Sequence, residues 1–176
     1  IEMTAPSVRP LPPPAGSMQW HAWLYTPAAV RDTAAACFAL DAEWRSLVDP
    51  DLDPGVAPLK LQWWRDELAR LTRGQARHPL TQVLSRASPD SGAASRAFAD
   101  ALTARQFELA NAGYDSEREL DAYWALADGW CRAFAPLLVR GGDPESLLAA
   151  ARPAGRAIRQ VEVIRDLHPD ADNDQS

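Results

Sequence analysis

Only two cysteines, Cys37 and Cys131, occur in the 176 residues, and no CxxC pair accompanies them. A disulfide framework and a cysteine zinc site are thereby excluded. Both thiols fall in helical apolar patterns, which predicts buried free thiols in a reducing, cytoplasmic setting. His21, His78 and His168 are the only histidines, and their separation gives no zinc spacing. No run approaches the ~18 apolar residues of a membrane span, and no basic segment precedes an apolar stretch as in a signal peptide. Positive charge is in deficit: the net charge is −6 and the pI about 5.0. That balance argues against nucleic acid and anionic membranes as partners. There is no glycine-rich phosphate loop, no Ser/His/Asp or Cys/His set and no internal repeat. No segment alternates with period two for long enough to build a sheet.

What is present is apolar residues at helical spacing, 47% of the chain, enough for one domain with a core. Residues 1–16 hold Pro6, Pro10, Pro12, Pro13 and Pro14 and read as an extended arm. The single domain is expected over 17–170, with an acidic tail at 171–176. Ser17 caps a short helix through Tyr25. Thr26-Pro27 opens a long one running to about Val48, ended by the Asp49–Gly55 loop. The next runs from about Ala57 to Arg73 and is closed by Gly74. A short helix follows His78-Pro79, and a longer one covers Ala93–Ala112. Ser116-x-x-Glu119 is a capping box for a helix reaching about Arg140, bent at Pro136. Asp143-Pro144 and Arg152-Pro153 open two more. The fold class is therefore all-α, with seven or eight helices.

The last segment, Gly155–Asp170, places Asp166 and Asp170 four residues apart at the end of an apolar helical pattern. On a helix they share one face, one turn apart, where they could share a divalent cation. A solvated helix end is the plainer reading of the same pair. Pro169 is expected to end the helix before Asp170.

Four stretches in order carry a likeness to a known family. They are Ala36–Asp49, Leu61–Leu68 with Gly74 and His78-Pro79, Glu119–Gly129, and Gly155–Asp170. Together they resemble the squalene/phytoene synthases, a family of isoprenoid synthases that join prenyl diphosphates head to head. The resemblance implies a helical bundle around a cavity, across which two DxxxD motifs hold Mg2+. A departing diphosphate carries about three negative charges, which clustered cations must neutralise in a dry site.

On that alignment the second motif is Asp166 and Asp170, and Glu162 stands where the family usually has a polar amide. The three form an i, i+4, i+8 carboxylate row. In the first motif the leading aspartate is replaced by Arg45, and the second falls on Asp49. Arg45 stays protonated and, with Asp41 and Asp49 one turn to either side, makes a self-neutralising row. A further family carboxylate falls on Glu108, and Asp128 stands where the family is small and apolar. Family chains run on beyond the second motif with helices that close the cavity, so an incomplete version of the fold is expected.

Two functions follow from the resemblance. In the first, the chain is a prenyl-diphosphate transferase: Asp49, Asp166 and Asp170 serve catalysis, Asp49, Glu162, Asp166 and Asp170 hold Mg2+, and Arg31 and Arg165 bind the diphosphate. In the second, it is a non-catalytic relative, an assembly or binding module whose cavity takes an apolar ligand or a partner helix. The family includes assembly-factor-like members. Trp63-Trp64 is read as one core tryptophan beside a half-exposed neighbour.

Overall fold

The structure, a computed structural model, describes residues 10–49, 52–53, 55–87, 92–110, 113–139 and 143–173, with side chains omitted at 92, 93, 144 and 165–173. Eight α-helices account for most of it: α1 Met18–Tyr25, α2 Arg31–Arg45, α3 Val56–Thr72, α4 Pro79–Ala87, α5 Gly92–Leu109, α6 Glu117–Ala127, α7 Gly129–Leu138 and α8 Pro144–Asn173. Short 3-10 turns at Ala28–Val30 and Ser46–Val48 flank α2. No strand occurs among the described residues.

The core follows from helical periodicity. Cys37, Leu40 and Trp44 of α2 and Leu47 of the 3-10 turn after it recur three and four apart and are all nearly inaccessible. They meet Leu61, Trp64, Leu68 and Leu71 of α3, Phe98 and Leu102 of α5, and Ala133 and Leu137 of α7. Trp44 sits at the centre, edge-on to Trp64, Phe98 and Trp130 at 5.9, 5.8 and 6.3 Å, the arrangement aromatic quadrupoles favour. Trp64 is 4% exposed and Trp63 43%, so the adjacent pair divides between core and surface as the helical turn demands. A smaller cluster of Ala104, Tyr123 and Trp124 packs on Val163 of α8.

Local chemistry sets the helix ends. Ser17 Oγ accepts from Trp20 N at 3.0 Å. Thr26 does not cap α2; it closes α1, its hydroxyl donating to the Ala22 carbonyl, and a 3-10 turn intervenes before α2. Gly74, at φ +68°, donates to Leu71 O while Gln75 N donates to Arg70 O. That left-handed closure suits glycine. At α6, Ser116 Oγ accepts from Glu119 N, and Glu119 accepts from Asp115 N.

Two boundaries differ from expectation. The helix begun at Ser116 bends at Asp128 rather than Pro136. Asp128 still donates to Trp124 O, and its own carbonyl still accepts from Arg132 N, so the ladder continues through the bend. Gly129 is the reason for its place: a Cβ there would lie 2.4 Å from Ala97 O and 2.9 Å from Ala101 N, so α7 presses onto the α5 backbone. The second difference is α8, one helix from Pro144 to Asn173. Pro153 lies inside it on an exposed face, where the carbonyl left without its amide partner faces solvent. Pro169 likewise does not stop the backbone, which keeps positions 162, 166 and 170 one turn apart.

Candidate functional site

The helices that carry the two motif segments, α2 and α8, are joined by ion pairs, directly and through α5. On α2, Phe38, Asp41 and Arg45 share one face. On α8, Gly155, Ile158, Arg159 and Glu162 share another. On α5, Arg105 and Glu108 are one turn apart. Starting at Asp41, Oδ2 accepts from Arg45 Nε at 2.6 Å. Arg45 Nη2 donates to Glu162 Oε1. Glu162 Oε2 accepts from Arg159 Nη1 at 3.2 Å. Arg159 Nη2 pairs with Glu108 Oε1 at 2.9 Å, and Arg105 Nη1 with Glu108 Oε2 at 2.8 Å. Arg105 Nη2 returns to Asp41 Oδ1 at 3.8 Å. Three carboxylates and three guanidiniums therefore alternate around a ring. Tyr123 of α6 braces it, donating to Glu108 at 2.6 Å and accepting from Arg159 Nε at 3.2 Å.

The ring is deeply set: Glu162 is 3% exposed, Asp41 5% and Arg105 8%. Burial works against the charge on Arg45, yet Asp41 and Glu162 outweigh it and raise its pKa further. Arg159 is treated the same way, with Glu108 as its main counter-charge. Burial, followed by Glu108, pushes the Tyr123 hydroxyl up to about 12. All three arginines are cations at any physiological pH.

Beside the ring lies a cavity of about 230 Å3. Met18 and Ala22 of α1, Phe38 of α2, Trp130 and Phe134 of α7 and Ile158 of α8 give it an apolar wall, and Asp41, Arg45, Arg105, Arg159 and Glu162 supply the polar part. Cys131 also lines it; burial, then Asp41, Asp128 and Glu162, push its thiol up to about 11. Cys37 and Cys131 are both free thiols.

The residues expected from sequence fall in different places. Glu162 is in the ring. Asp49 ends the 3-10 turn after α2, is exposed, and its carbonyl accepts from Leu52 N. Arg31 closes α1: Nε donates to Thr26 O at 2.9 Å, Nη2 to Leu24 O at 3.1 Å, and the guanidinium lies 5.4 Å from the Trp23 ring. The side chains of Arg165, Asp166 and Asp170 lie outside the described residues. Asp128, expected to be unusual, pairs with Arg132, which also reaches Asp100. The ring members Arg105 and Arg159, and Tyr123 that braces them, are not among the residues expected from sequence. The i, i+3 pairs Arg105–Glu108 and Arg159–Glu162 were the available signal.

Mg2+ requires carboxylate oxygens free to approach to about 2.0–2.1 Å in octahedral geometry. Asp41, Glu108 and Glu162 give their oxygens to guanidinium groups instead, and Arg45 stands between α2 and α8. These described carboxylates do not fit the ion as they are arranged.

An all-α bundle with an ion-lined apolar cavity between its motif helices is the class of protein these features define. A squalene/phytoene synthase family model matches residues 20–176, and the chain belongs to that family. No curated protein and no solved structure matches it. Among the described residues no helix is long and apolar enough to cross a membrane.

Proposed function

We propose that this chain is a non-catalytic member of the squalene/phytoene synthase family, a binding module that keeps the family's cavity and replaces its cation bridge by arginines. The closed ring carries this reading. Where a transferase needs carboxylates free to collect metal ions, Asp41, Glu108 and Glu162 are neutralised by guanidiniums that cannot be deprotonated. Breaking a buried pair to admit a metal would leave an uncompensated charge, at a cost of about 3–5 kcal/mol. The apolar cavity remains, and an apolar ligand or a partner's apolar side chains are what it suits.

The second reading is the Mg2+-dependent prenyl-diphosphate transferase, with Asp49, Glu162, Asp166 and Asp170 as metal ligands and Arg31 and Arg165 on the diphosphate. The unbroken α8 backbone past Pro169 favours it, since the second-motif spacing persists. One experiment separates the two. The chain is incubated at high concentration with farnesyl or geranylgeranyl diphosphate and Mg2+, and pyrophosphate is measured. The binding-module reading expects none above the uncatalysed background. Release that Asp166→Ala removes would establish the transferase instead.

A further inference from the structure

The net charge of −6 conceals a division of sign. Residues 56–87, which form α3, α4 and the turn between them, hold six basic residues, Lys60, Arg65, Arg70, Arg73, Arg77 and Arg86, against Asp66 and Glu67. That segment carries +4 and the rest of the chain −10. Both acids are engaged: Asp66 accepts from Gln62 Nε2 at 3.1 Å, and Glu67 is buried among its donors. A third carboxylate, Glu43 of α2, lies near enough to act on His78, which still leaves the local balance positive. Arg70 is held by Glu67, but Lys60, Arg73 and Arg77 are exposed and form no salt bridge with a described residue. Exposed charges act over about a Debye length, ~8 Å at physiological ionic strength. A partner meeting α3 therefore feels these cations and not the overall charge that argues against anionic surfaces.

α3 also has apolar residues on two sides. Leu61, Trp64, Leu68 and Leu71 belong to the core. Val56, Leu59 and Trp63, three and four residues apart and so on one face, are exposed, Leu59 to 72%. The Trp63 ring is fixed at this surface: it stands edge-on to His78 at 5.8 Å and has the Arg70 guanidinium 6.0 Å from its centroid. A helical row of apolar side chains bordered by cations is the pattern that lies in a bilayer interface, its apolar groups at the acyl boundary and its cations at the lipid phosphates. Leu59 stands clear of the surface, which suits a medium that yields around it. A nucleic-acid backbone would match the cations but offer Val56 and Leu59 nothing.

We propose that the outward face of α3, with the basic turn at 73–77, docks the protein on an anionic lipid bilayer. The contact is interfacial, and it is independent of what the cavity holds.

The test is flotation of the whole chain with phosphatidylcholine vesicles and with equimolar phosphatidylcholine–phosphatidylglycerol vesicles. The anionic vesicles are expected to bind it at least about tenfold more tightly, and raising salt from about 0.05 to about 0.5 M should remove most of that advantage. Leu59→Gln, at an exposed position outside the core, should weaken binding by about fivefold with thermal unfolding unchanged. Lys60→Glu, Arg73→Glu and Arg77→Glu together should abolish the preference for anionic lipid. Should that triple variant fail to fold, the wild-type salt response still decides. Equal binding to both vesicle types, or binding to neither, overturns the proposal, as does a preference that salt leaves intact. Undiminished binding in Leu59→Gln also overturns it: the cations alone would then be acting, and displacement by heparin would mark the face as a site for an acidic macromolecule instead.

Discussion

Among the 18 basic residues, every one but Lys60 is arginine, and the ring depends on that choice. A guanidinium has donors on three nitrogens in one plane and can bridge two carboxylates at once, as Arg45 bridges Asp41 and Glu162; an ammonium offers a point charge without the fork. Glu67 shows the same economy away from the cavity. It is fully buried and its two oxygens accept from Arg77 N, His78 N, Thr81 Oγ1 and Arg70 Nε at 2.5 to 2.8 Å, tying the loop before α4 to α3. Burial pushes its pKa up, but the hydrogen bonds, led by those from Thr81 and the His78 amide, win and hold it at about 2 instead of 4.5. The folded state therefore binds this proton less readily than the unfolded one. The stabilisation is present in full above pH 4.5 and lost as pH falls towards 2. It amounts to about 3 kcal/mol. Glu67→Gln is expected to lower stability at neutral pH by about that much. In urea titrations the gap between variant and wild type should close across the same acid window. A gap independent of pH would show that the carboxylate charge contributes nothing.

At the scale of elements, backbone approach matters more than propensity. Gly129 is where α7 touches α5, and Gly129→Ala would drive a methyl into the Ala97 carbonyl and the Ala101 amide. Backbone atoms on both sides cannot swing away, so a loss of about 1–3 kcal/mol or more is expected in thermal unfolding. An unchanged midpoint would mean that α7 can slide. The sequence showed helical class, most helix starts and the division of labour between Trp63 and Trp64, because periodicity and caps are local. It did not show the bend at Asp128, because nothing near Gly129 announces that a second helix lies against it. Pro153, on an exposed face, misled for the converse reason. A proline costs a helix little where the orphaned carbonyl meets solvent, and exposure is a tertiary property. The site divides similarly. Arg45, Asp41 and Glu162 stood out by position along the chain. Arg105 and Arg159 looked like ordinary i, i+3 partners of Glu108 and Glu162, since only the packing of α2, α5 and α8 turns those pairs into a ring.

For the molecule as a whole, the ring ties α2 to α8 beside the cavity. Its strength is shared, so its members should not act independently. Arg45→Ala leaves Glu162, only 3% exposed, with Arg159 as its remaining partner, and should cost about 3 kcal/mol. Glu162→Ala leaves Arg45 with Asp41 alone and Arg159 with Glu108 and Tyr123, at comparable cost. The double variant should lose less than the two combined, with a coupling of about 0.5–3 kcal/mol; strict additivity would mean the pair is idle. The same logic reaches function through Arg45→Asp. That substitution removes one cation and adds one carboxylate beside Asp41 and Glu162, which converts a self-neutralised ring into an acidic one able to collect a divalent ion. Wild-type melting should not respond to millimolar Mg2+, whereas the variant, weaker without it, should be stabilised by the ion in proportion to the logarithm of its concentration. If Mg2+ stabilises the wild type as well, the arginines are not what keeps the metal out.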